Sequence, residues 1–493
     1  MTRDAIRFWR NGQPIEVSGF HPRTTLLDYL RLQERRVGTK EGCAEGDCGA
    51  CTVALGRVRA GRVRYEPVNA CILLLGQVDG AEVVTVEDLA STGELHPVQS
   101  AMVTHHGSQC GFCTPGIVMS LFTLYHQDAR PLSREQINDA LAGNLCRCTG
   151  YRPIVDAALE ACTGEPRDAF AQAGEETARA LAELADGQDI LIGNDVCFFA
   201  APASEASLAA LYAQHPDATL VAGCTDVGLW ITKGMAEIEK IIWIGRITGI
   251  SRIEDGEDKL TVGATATHAE AFARLGAIDP DLGELVRRFG SAQVRASGTV
   301  GGNIANGSPI GDLAPALIAL DTTLELRQGE STRVLPLEDF FIAYRKQDRL
   351  PGEFVRRVTV PKLKGNEAFR AYKVSKRFDE DISAVMGAFR FTLDGRRIAG
   401  ARIAFGGMAG IPKRALQTEV ALAGVSLDEP SSWGDAMAAI ARDYRPLDDH
   451  RASAAYRSTV ARNLVFKALS ETASGETRAT RIIGQREALH AAE

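Results

Sequence analysis

The chain has 493 residues, enough for roughly three or four domains of ordinary size, and 45% of them are hydrophobic, as in globular proteins. Its formal net charge of −8 argues against nucleic acid or an anionic membrane as a partner, because both attract a basic face. No apolar run reaches the length of a membrane span, and MTRDAIRFWRNG contains no apolar leader. We therefore expect a cytoplasmic protein whose thiols stay reduced.

The first 86 residues have the pattern of a small mixed sheet with one helix. Two apolar runs at residues 6–10 and 15–17 flank Asn11-Gly12, which predicts a hairpin with a primed turn. Leucines at 26, 27 and 30 give a helix an apolar face, and further strands are predicted at residues 52–55 and 63–68. This arrangement is typical of the β-grasp fold of ferredoxins.

Four cysteines of this region have the spacing of a plant-type [2Fe–2S] ligand set: Cys43, Cys48, Cys51 and Cys71, the first three within GTKEGCAEGDCGACTV. The glycines of that loop allow the sharp bends that aim backbone amides at an anionic cluster. A zinc site is the alternative, but zinc sites favour two CxxC-like pairs over three cysteines in one loop plus a remote fourth.

A second group, Cys110, Cys113, Cys146 and Cys148, lies in QCGFCTPGIVMS and GNLCRCTGYRPI. Each pair precedes an apolar-faced helix, the first with Thr114 as N-cap, so two positive helix ends would meet at one anionic cluster. Disulfides are the alternative in a secreted protein. From about residue 87 to 162 the pattern predicts a four-helix bundle. We expect the other cysteines, at 162, 197 and 224, to be buried small hydrophobic residues.

Residues 163–188 are polar and alanine-rich and predict a linker with some helix. Beyond it, a buried strand at 219–222 leads into one glycine-rich loop, and residues 298–303 form a second. Neither loop is GxGxxG or ends in GK[ST], so a Rossmann or Walker site is not predicted. Together, however, they could offer amides and hydroxyls to a pyrophosphate, with Asp312 taking a ribose hydroxyl.

The last part, residues 365–475, predicts a hairpin from 389–393 and 397–405 around Asp394-Gly395, followed by helices. The tail at 476–493 is polar, and we assign it no fold.

The two cysteine motifs and RASGTVGGNIANGSPIGDLAP resemble the iron–sulfur and FAD signatures of the xanthine dehydrogenase family of molybdenum hydroxylases. The resemblance runs from about residue 5 to 470. The domain order is similar to that of the small subunit of a two-subunit bacterial member. It implies a multidomain α+β protein with six segments: a β-grasp [2Fe–2S] domain (1–86), a helical [2Fe–2S] domain (87–162), a linker (163–188), an FAD domain of the p-cresol methylhydroxylase and vanillyl-alcohol oxidase type (189–364), a CO-dehydrogenase-flavoprotein-like C-terminal domain (365–475) and a tail (476–493).

The resemblance also implies roles for individual residues. The FAD phosphates would be held by Leu220, Val221, Ala222, Gly223, Cys224, Thr225, Asp226, Val227, Thr299, Val300, Gly301, Gly302 and Asn303. Asp312 would bind the ribose, Phe289 would stack near the isoalloxazine, and Val355 and Lys373 would lie close to the flavin. Gln109 and Cys148 would approach a molybdopterin on a partner chain. Of these residues, Phe289, Lys373 and Gln109 would take part in catalysis.

By the same resemblance, electrons pass from molybdopterin through the second cysteine group to the first, then to FAD and NAD+. Flavin suits this path because it accepts single electrons and releases a pair as hydride. The implied activity is oxidation of hypoxanthine and xanthine to urate in a complex with a molybdopterin-binding large subunit, with an α2β2 heterotetramer expected. Aldehyde or N-heterocycle hydroxylases, or a free-standing ferredoxin–flavin reductase, are the alternatives.

The segment from Lys373 to Ile382 corresponds to a loop beside the flavin in the family, although its sequence alone fits a solvated charged loop. We expect Lys373, Lys376 and Arg377 to place positive charge near the flavin, countered by Glu380 and Asp381. The net positive charge of this loop predicts a stable dehydrogenase in which the loop favours binding of the NAD+ pyrophosphate.

Overall fold

The computed structural model describes residues 2–90, 93–128 and 131–475. Within these ranges, four sheets of four or five strands, one two-stranded ribbon and seventeen α-helices enclose five hydrophobic cores. None of the described helices is both long and apolar enough to cross a membrane.

The N-terminal strands are β1 (Thr2–Arg3), β2 (Ala5–Arg10), β3 (Gln13–Ser18), β4 (Thr52–Arg59), β5 (Arg62–Asn69) and β6 (Glu82–Val84). All but β1 form one sheet in the order β3-β2-β6-β4-β5, with α1 (Leu26–Asp28) and a π-helical turn (Tyr29–Gln33) beside it. The predicted hairpin is confirmed, since Asn11 (φ 49°) and Gly12 (φ 71°) adopt the left-handed conformation of a primed turn.

Four helices pack around a shared core as the predicted bundle: α2 (Pro97–Thr104), α3 (Thr114–Tyr125), α4 (Arg134–Leu141) and α5 (Arg152–Ala161). The prediction of Thr114 as the N-cap of α3 is wrong by one residue, because Cys113 is the N-cap. Proline fits anywhere in the first helical turn, where amides have no intrahelical partner, so Pro115 could not fix the start.

The predicted linker contains α6 (Ala169–Gln172) and α7 (Gly174–Leu184). It is packed rather than free, since Leu181 is buried and α7 lies against the first sheet. Apolar residues are sparse in this segment, and the sequence pattern could not reveal that α7 packs against β2, β4 and β5.

The region predicted to bind FAD (residues 189–364), called the flavin region below, begins with the strands β7 (Asp189–Gly193), β8 (Phe198–Ala201), β9 (Thr219–Val221) and β10 (Lys240–Trp243), and the helices α8 (Glu205–Gln214) and α9 (Val227–Thr232). Its first sheet has the order β1-β7-β8-β10-β9. The strand β1 pairs in parallel with β7, so residues 2–3 belong to this sheet.

Its second sheet has the order β11-β12-β17-β13-β14 and consists of β11 (Ile253–Asp255), β12 (Lys259–Gly263), β13 (Thr323–Gln328), β14 (Ser331–Pro336) and, after the ribbon of β15 (Phe341–Ala343) and β16 (Lys346–Gln347), β17 (Phe354–Pro361). Its helices are α10 (His268–Ile278), α11 (Pro280–Arg287), α12 (Ala292–Ser297), α13 (Val300–Asn306) and α14 (Leu313–Ala319).

The second glycine-rich run was predicted as a loop, but it begins the helix α13 instead. The Thr299 hydroxyl accepts a hydrogen bond from the Gly302 amide (3.0 Å) and caps that helix. A capping threonine can thus start a helix in a glycine-rich sequence that propensity alone disfavours.

The C-terminal region is a four-stranded sheet covered by helices. It contains β18 (Glu367–Val374), β19 (Val385–Asp394), β20 (Arg397–Gly406), β21 (Lys413–Arg414), α15 (Leu416–Leu422), α16 (Gly434–Asp443) and α17 (Ala454–Ser474). The predicted hairpin is confirmed as β19 and β20. The tail at 476–493 lies outside the described residues.

Candidate electron-transfer and flavin site

The first cysteine group converges at one end of the N-terminal sheet. Cys51 and Cys71 are buried, with their sulfurs 3.2 Å apart, and the Cys48 amide donates to the Cys43 sulfur at 3.3 Å. Contact with the Cys48 thiol and hydrogen bonds from nearby amides lower the pKa of the Cys43 thiol to about 5. A converging set of sulfurs with amides aimed at it fits an anionic iron–sulfur cluster.

The second cysteine group converges as well, at the surface of the bundle. Cys110 contacts Cys148, and Cys113 contacts Cys146. Cys110 and Cys148 are exposed, whereas Cys146 is buried. None of the eleven cysteines, all within the described ranges, forms a disulfide in the structure. This set also fits a cluster, with one side open to solvent.

Of the three other cysteines, Cys162 and Cys224 are buried as predicted. Cys197 is half-exposed, so that part of the prediction is wrong. It directly precedes β8, where the chain enters the sheet from the surface.

The two cysteine groups are in direct backbone contact. The Leu145 amide donates to the Cys48 carbonyl oxygen at 3.0 Å. Gly49 lies between the bundle loops, and a Cβ at this position would be 2.0 Å from the Gly143 carbonyl oxygen. A φ of 67° also favours glycine here, so Gly49 permits the close approach of the two loops.

The first group also touches the flavin region through α9. The Thr232 hydroxyl donates to the Ala44 carbonyl oxygen at 2.7 Å. A Cβ on Gly228 would lie 2.6 Å from the Ile72 carbonyl oxygen, directly after Cys71. Because α9 follows the first predicted phosphate loop, the first cysteine group lies between the second group and that loop.

A cavity of about 450 Å³ brings most of the predicted FAD residues together. Its lining includes every residue from Leu220 to Val227, together with Phe289, Thr299, Gly301, Gly302, Asn303 and Val355. Val300 is buried in the core and does not line it, and neither Asp312 nor Lys373 is among the lining residues.

The glycines of this cavity are required by close packing. A Cβ on Gly223 would lie 1.9 Å from the Ser297 carbonyl oxygen, and one on Gly301 would lie 2.5 Å from the Ala264 Cα. Side chains are therefore excluded at these two positions, and the glycine-rich backbone itself forms this wall of the cavity, as a dinucleotide pyrophosphate requires.

An aromatic pair forms another wall of the cavity. The ring of Phe289 lies 4.5 Å from that of His268, and burial lowers the pKa of His268 to about 3, which keeps it neutral. Trp230 donates to the Asp226 carboxylate at 2.9 Å. The sequence reasoning missed His268 and Trp230, and only their proximity to the glycine-rich runs could have suggested them.

Asp312 and Lys373 are brought together, but as an ion pair with each other. The Lys373 ammonium donates to the Asp312 carboxylate at 2.5 Å and to the Ser383 hydroxyl at 3.1 Å, and both charged side chains are buried. The expectation that Lys373 contributes net positive charge is therefore wrong, because Asp312 neutralises it. Lys373 also lies in the strand β18 rather than in a loop.

The segment after β18 connects the C-terminal region to the first cysteine group. The Arg377 guanidinium lies 3.6 Å from the Asp47 carboxylate, and Asp381 accepts hydrogen bonds from the Lys376 and Arg377 amides. Burial and the charge of Asp47 raise the pKa of Glu380 to about 8. Glu380 therefore offsets less positive charge near neutral pH than the sequence predicts.

His96, His126 and Asp168 form a buried cluster with the composition of a metal site. Both histidine Nε2 atoms lie within hydrogen-bond distance of one Asp168 oxygen, at 2.7 and 2.8 Å. The Nδ1 atom of His96 accepts from the Val98 amide, so its proton is on Nε2, where a metal would need a lone pair. The cluster is thus a hydrogen-bonded clasp that holds the start of α6 to the bundle.

Four family models cover most of the chain. They are a 2Fe-2S iron-sulfur cluster binding domain (residues 9–75), a [2Fe-2S] binding domain (85–159), an FAD binding domain in molybdopterin dehydrogenase (194–363) and a CO dehydrogenase flavoprotein C-terminal domain (370–472). The first two contain the two cysteine groups, and the third contains the cavity.

Curated relatives include a xanthine dehydrogenase of Emericella nidulans, 31% identical over 90% of this chain and 36% of that protein, and a xanthine dehydrogenase/oxidase of Rattus norvegicus, 33% identical over 85% and 35%. The chain thus spans about a third of the length of these relatives. Among solved structures, a carbon monoxide dehydrogenase from Hydrogenophaga pseudoflava is 26% identical, with a TM-score of 0.52 over 55% of this chain and 95% of that one.

The fold and its two cysteine sites define an iron–sulfur flavoprotein with two [2Fe–2S] domains and an FAD-binding domain. With the relatives above, these domains show that the chain has the domain composition of the iron–sulfur and FAD part of molybdenum hydroxylases.

Proposed function

We propose that this chain is the iron–sulfur and FAD subunit of an NAD-dependent xanthine dehydrogenase. In this proposal, electrons from a molybdopterin site on a partner chain pass through both clusters to FAD and NAD+. Bound flavin would supply the exchange between single electrons and a hydride pair. The curated relatives, named as xanthine dehydrogenases, favour hypoxanthine and xanthine as substrates.

The observation that carries this proposal is the linear order of the sites. The exposed second cysteine group touches the first through the Leu145 amide and the Cys48 carbonyl, and the first touches α9 through Thr232 and Ala44. The FAD cradle begins at the other end of α9. These contacts form a continuous path from the surface through both cysteine groups to the flavin cavity, which supports the proposed relay.

The surface around the second group suits a partner chain. Cys110 and Cys148 are exposed there, as are the large apolar side chains of Phe112 (48%) and Leu145 (42%). Apolar side chains around an open redox site favour protein docking over solvent. We assign Gln109, also exposed, to contact with the pterin of that partner.

Within the flavin cavity, the chain's own residues would bind and orient the cofactor. The amides of the loop around Gly223 would hold the phosphates, and the Phe289 ring, supported by neutral His268, would stack near the isoalloxazine. Asp312 stays assigned to the ribose, which requires it to share its carboxylate with Lys373.

The test is to purify the chain with its partner and compare Cys148→Ser with Cys197→Ser. Cys197 is also accessible but lies outside both ligand sets, so it is the matched control. We expect Cys148→Ser to abolish reduction of FAD by xanthine while NADH still reduces an artificial dye. Cys197→Ser should retain both activities.

Reduction of FAD by xanthine at the normal rate in Cys148→Ser would contradict the proposed path. Isolation without any molybdopterin chain would instead favour the free-standing reductase. A substrate panel of xanthine, aldehydes and N-heterocycles on the complex decides the substrate class. Sizing of the complex tests the proposed α2β2 heterotetramer, and fractionation of cells tests the cytoplasmic location.

A further inference from the structure

One buried amide side chain joins the two cysteine groups to the flavin region. The Nε2 atom of Gln293, in α12, lies within hydrogen-bond distance of the Thr52 hydroxyl (3.1 Å), the Ser120 hydroxyl (3.2 Å) and the Asn144 side-chain oxygen (3.1 Å), which share its two protons. Thr52 directly follows Cys51, and Asn144 lies two residues before Cys146. A single side chain of the flavin region therefore contacts the loops of both cysteine groups.

The hydroxyl and amide groups around Gln293 already donate their protons to other acceptors. The Thr52 hydroxyl donates to the Gly49 carbonyl at 2.7 Å, and the Ser120 hydroxyl donates to the Asn144 side-chain oxygen at 2.6 Å. The Asn144 amide group donates to the Gly49 carbonyl at 3.1 Å. Only a donor can satisfy the converging oxygens, so glutamine fits where glutamate or methionine would not.

Gln293 also fits tightly. Its Oε1 atom is buried and has no hydrogen-bond partner among the described residues, so the side chain makes all of its hydrogen bonds there as a donor, through Nε2. A Cβ on Gly143 would lie 2.1 Å from that oxygen. Phe289, assigned to the flavin ring, lies four residues before Gln293 in the sequence.

We propose that Gln293 is a positioning residue for intramolecular electron transfer, which fixes the separation of the two clusters and their placement relative to the flavin. It acts through Thr52 on the first cluster loop and through Asn144 on the second. This inference rests on the proposed electron relay. Several hydrogen bonds that converge on one buried side chain restrict the motion of the groups that they join.

The test compares Gln293→Met with Gln77→Met in the full chain. Methionine keeps the length of glutamine but cannot donate. Gln77 is the matched control because it is also buried and bridges the ferredoxin-like and flavin regions: its Nε2 donates to the Ala222 carbonyl (3.1 Å), and its Oε1 accepts from the Leu74 amide (3.0 Å). The readouts are iron and FAD content, the electron paramagnetic resonance spectrum after dithionite reduction, and the rate of cluster-to-flavin electron transfer.

We expect Gln293→Met to keep full iron content and both cluster signals but to lose the magnetic splitting between them and to transfer electrons more slowly. Gln77→Met should keep the splitting of the unmodified protein. Unchanged splitting and rate in Gln293→Met would overturn the proposal, as would an equal loss in Gln77→Met.

If Gln293→Met is recovered without iron, the proposal is tested with Ser120→Ala instead. This replacement removes one acceptor of Gln293 and leaves its contacts with Thr52 and Asn144. A weakened splitting in that variant supports the proposal, and an unchanged one overturns it. Failure of the relay itself is distinguishable, since the unmodified protein would then lack one of the two cluster signals.

Discussion

A buried ion pair is among the most energetic single interactions near the proposed flavin site. Lys373 and Asp312 are both buried, and Ser383 completes the hydrogen bonds of the carboxylate. Removal of one partner from such a pair leaves a charge without compensation and typically costs about 3–5 kcal/mol.

We therefore predict that Lys373→Met lowers the free energy of unfolding by about 3–5 kcal/mol and releases FAD at a lower temperature. Lys376→Met is the control, since the ammonium of this exposed lysine donates to the His450 carbonyl, and the replacement should change stability by less than about 0.5 kcal/mol. Thermal unfolding followed by flavin fluorescence measures both. Equal melting curves for the two variants would show that the pair does not hold this region.

The two cysteine groups should be separable by single replacements. Cys43→Ser and Cys148→Ser each remove one ligand from a different set, so each should halve the iron content and abolish a different paramagnetic signal. Metal analysis and spectroscopy of the reduced protein test this. Stoichiometric zinc, or loss of both signals from one replacement with the fold intact by circular dichroism, would contradict the two-cluster assignment.

At the scale of secondary-structure elements, local signals in the sequence predict more than long-range pairings do. The hairpin at Asn11-Gly12 follows from its turn chemistry, and the cysteine loops follow from their spacing. The pairing of β1 with β7 and the ion pair of Lys373 with Asp312 join residues far apart in sequence, so no local pattern reveals them. The family resemblance predicted most of the residues that line the cavity, but no pattern in the sequence indicated a role for Gln293.

The start of the helix α6 is held by a clasp that only the structure reveals. Asp168 accepts hydrogen bonds from His96 and His126, and although burial raises its pKa, these hydrogen bonds hold it below the ordinary value. We predict that Asp168→Asn loosens this segment and increases its cleavage by trypsin at Arg167. Asp156→Asn, which alters an exposed ion pair with Arg134, is the control and should not. Limited proteolysis with mass spectrometry distinguishes them.

The clasp should also depend on pH in a definite direction. Because the pKa of Asp168 is lower in the folded protein than in the unfolded chain, its contribution is complete above the unfolded pKa of about 3.9 and is lost as the pH falls through the folded value. If the segment loses its protection against proteolysis only above neutral pH, this account is wrong.

Glu82 in β6 should give the opposite pH dependence. Burial raises its pKa to about 7, although the Tyr65 hydroxyl, which donates to it at 2.7 Å, opposes the shift. Between the unfolded pKa of about 4.3 and this value, the folded protein binds more protons, so its stability falls as pH rises. We predict that Glu82→Gln flattens this part of the stability profile, measured by thermal unfolding from pH 5 to 8. An unchanged slope would show that another group titrates.

At the scale of the whole molecule, the segment after β18 contacts several regions at once. Arg377 faces Asp47 of the first cysteine loop, and Arg288 of the flavin region lies over the Phe378 ring at 4.1 Å and donates to the Phe378 carbonyl at 2.9 Å. The segment is therefore anchored between the proposed first cluster and the flavin region. We expect a change in the charge of this segment to alter binding of the electron acceptor more than it alters electron transfer through the clusters.

We predict that Arg377→Glu raises the apparent Km for NAD+ more than it slows reduction of FAD by xanthine in the complex. The replacement removes a half-exposed positive charge and adds a negative one beside Asp47, which disfavours an anionic pyrophosphate nearby. Arg397→Glu is the matched control, because this arginine also lies at the surface and its guanidinium donates to the Gly424 carbonyl within the C-terminal region. Stopped-flow traces in which flavin reduction slows while the affinity for NAD+ stays unchanged would rule out this role for the segment. High salt should reduce the difference between the variants, since exposed charges are screened, whereas a change in the local fold would persist.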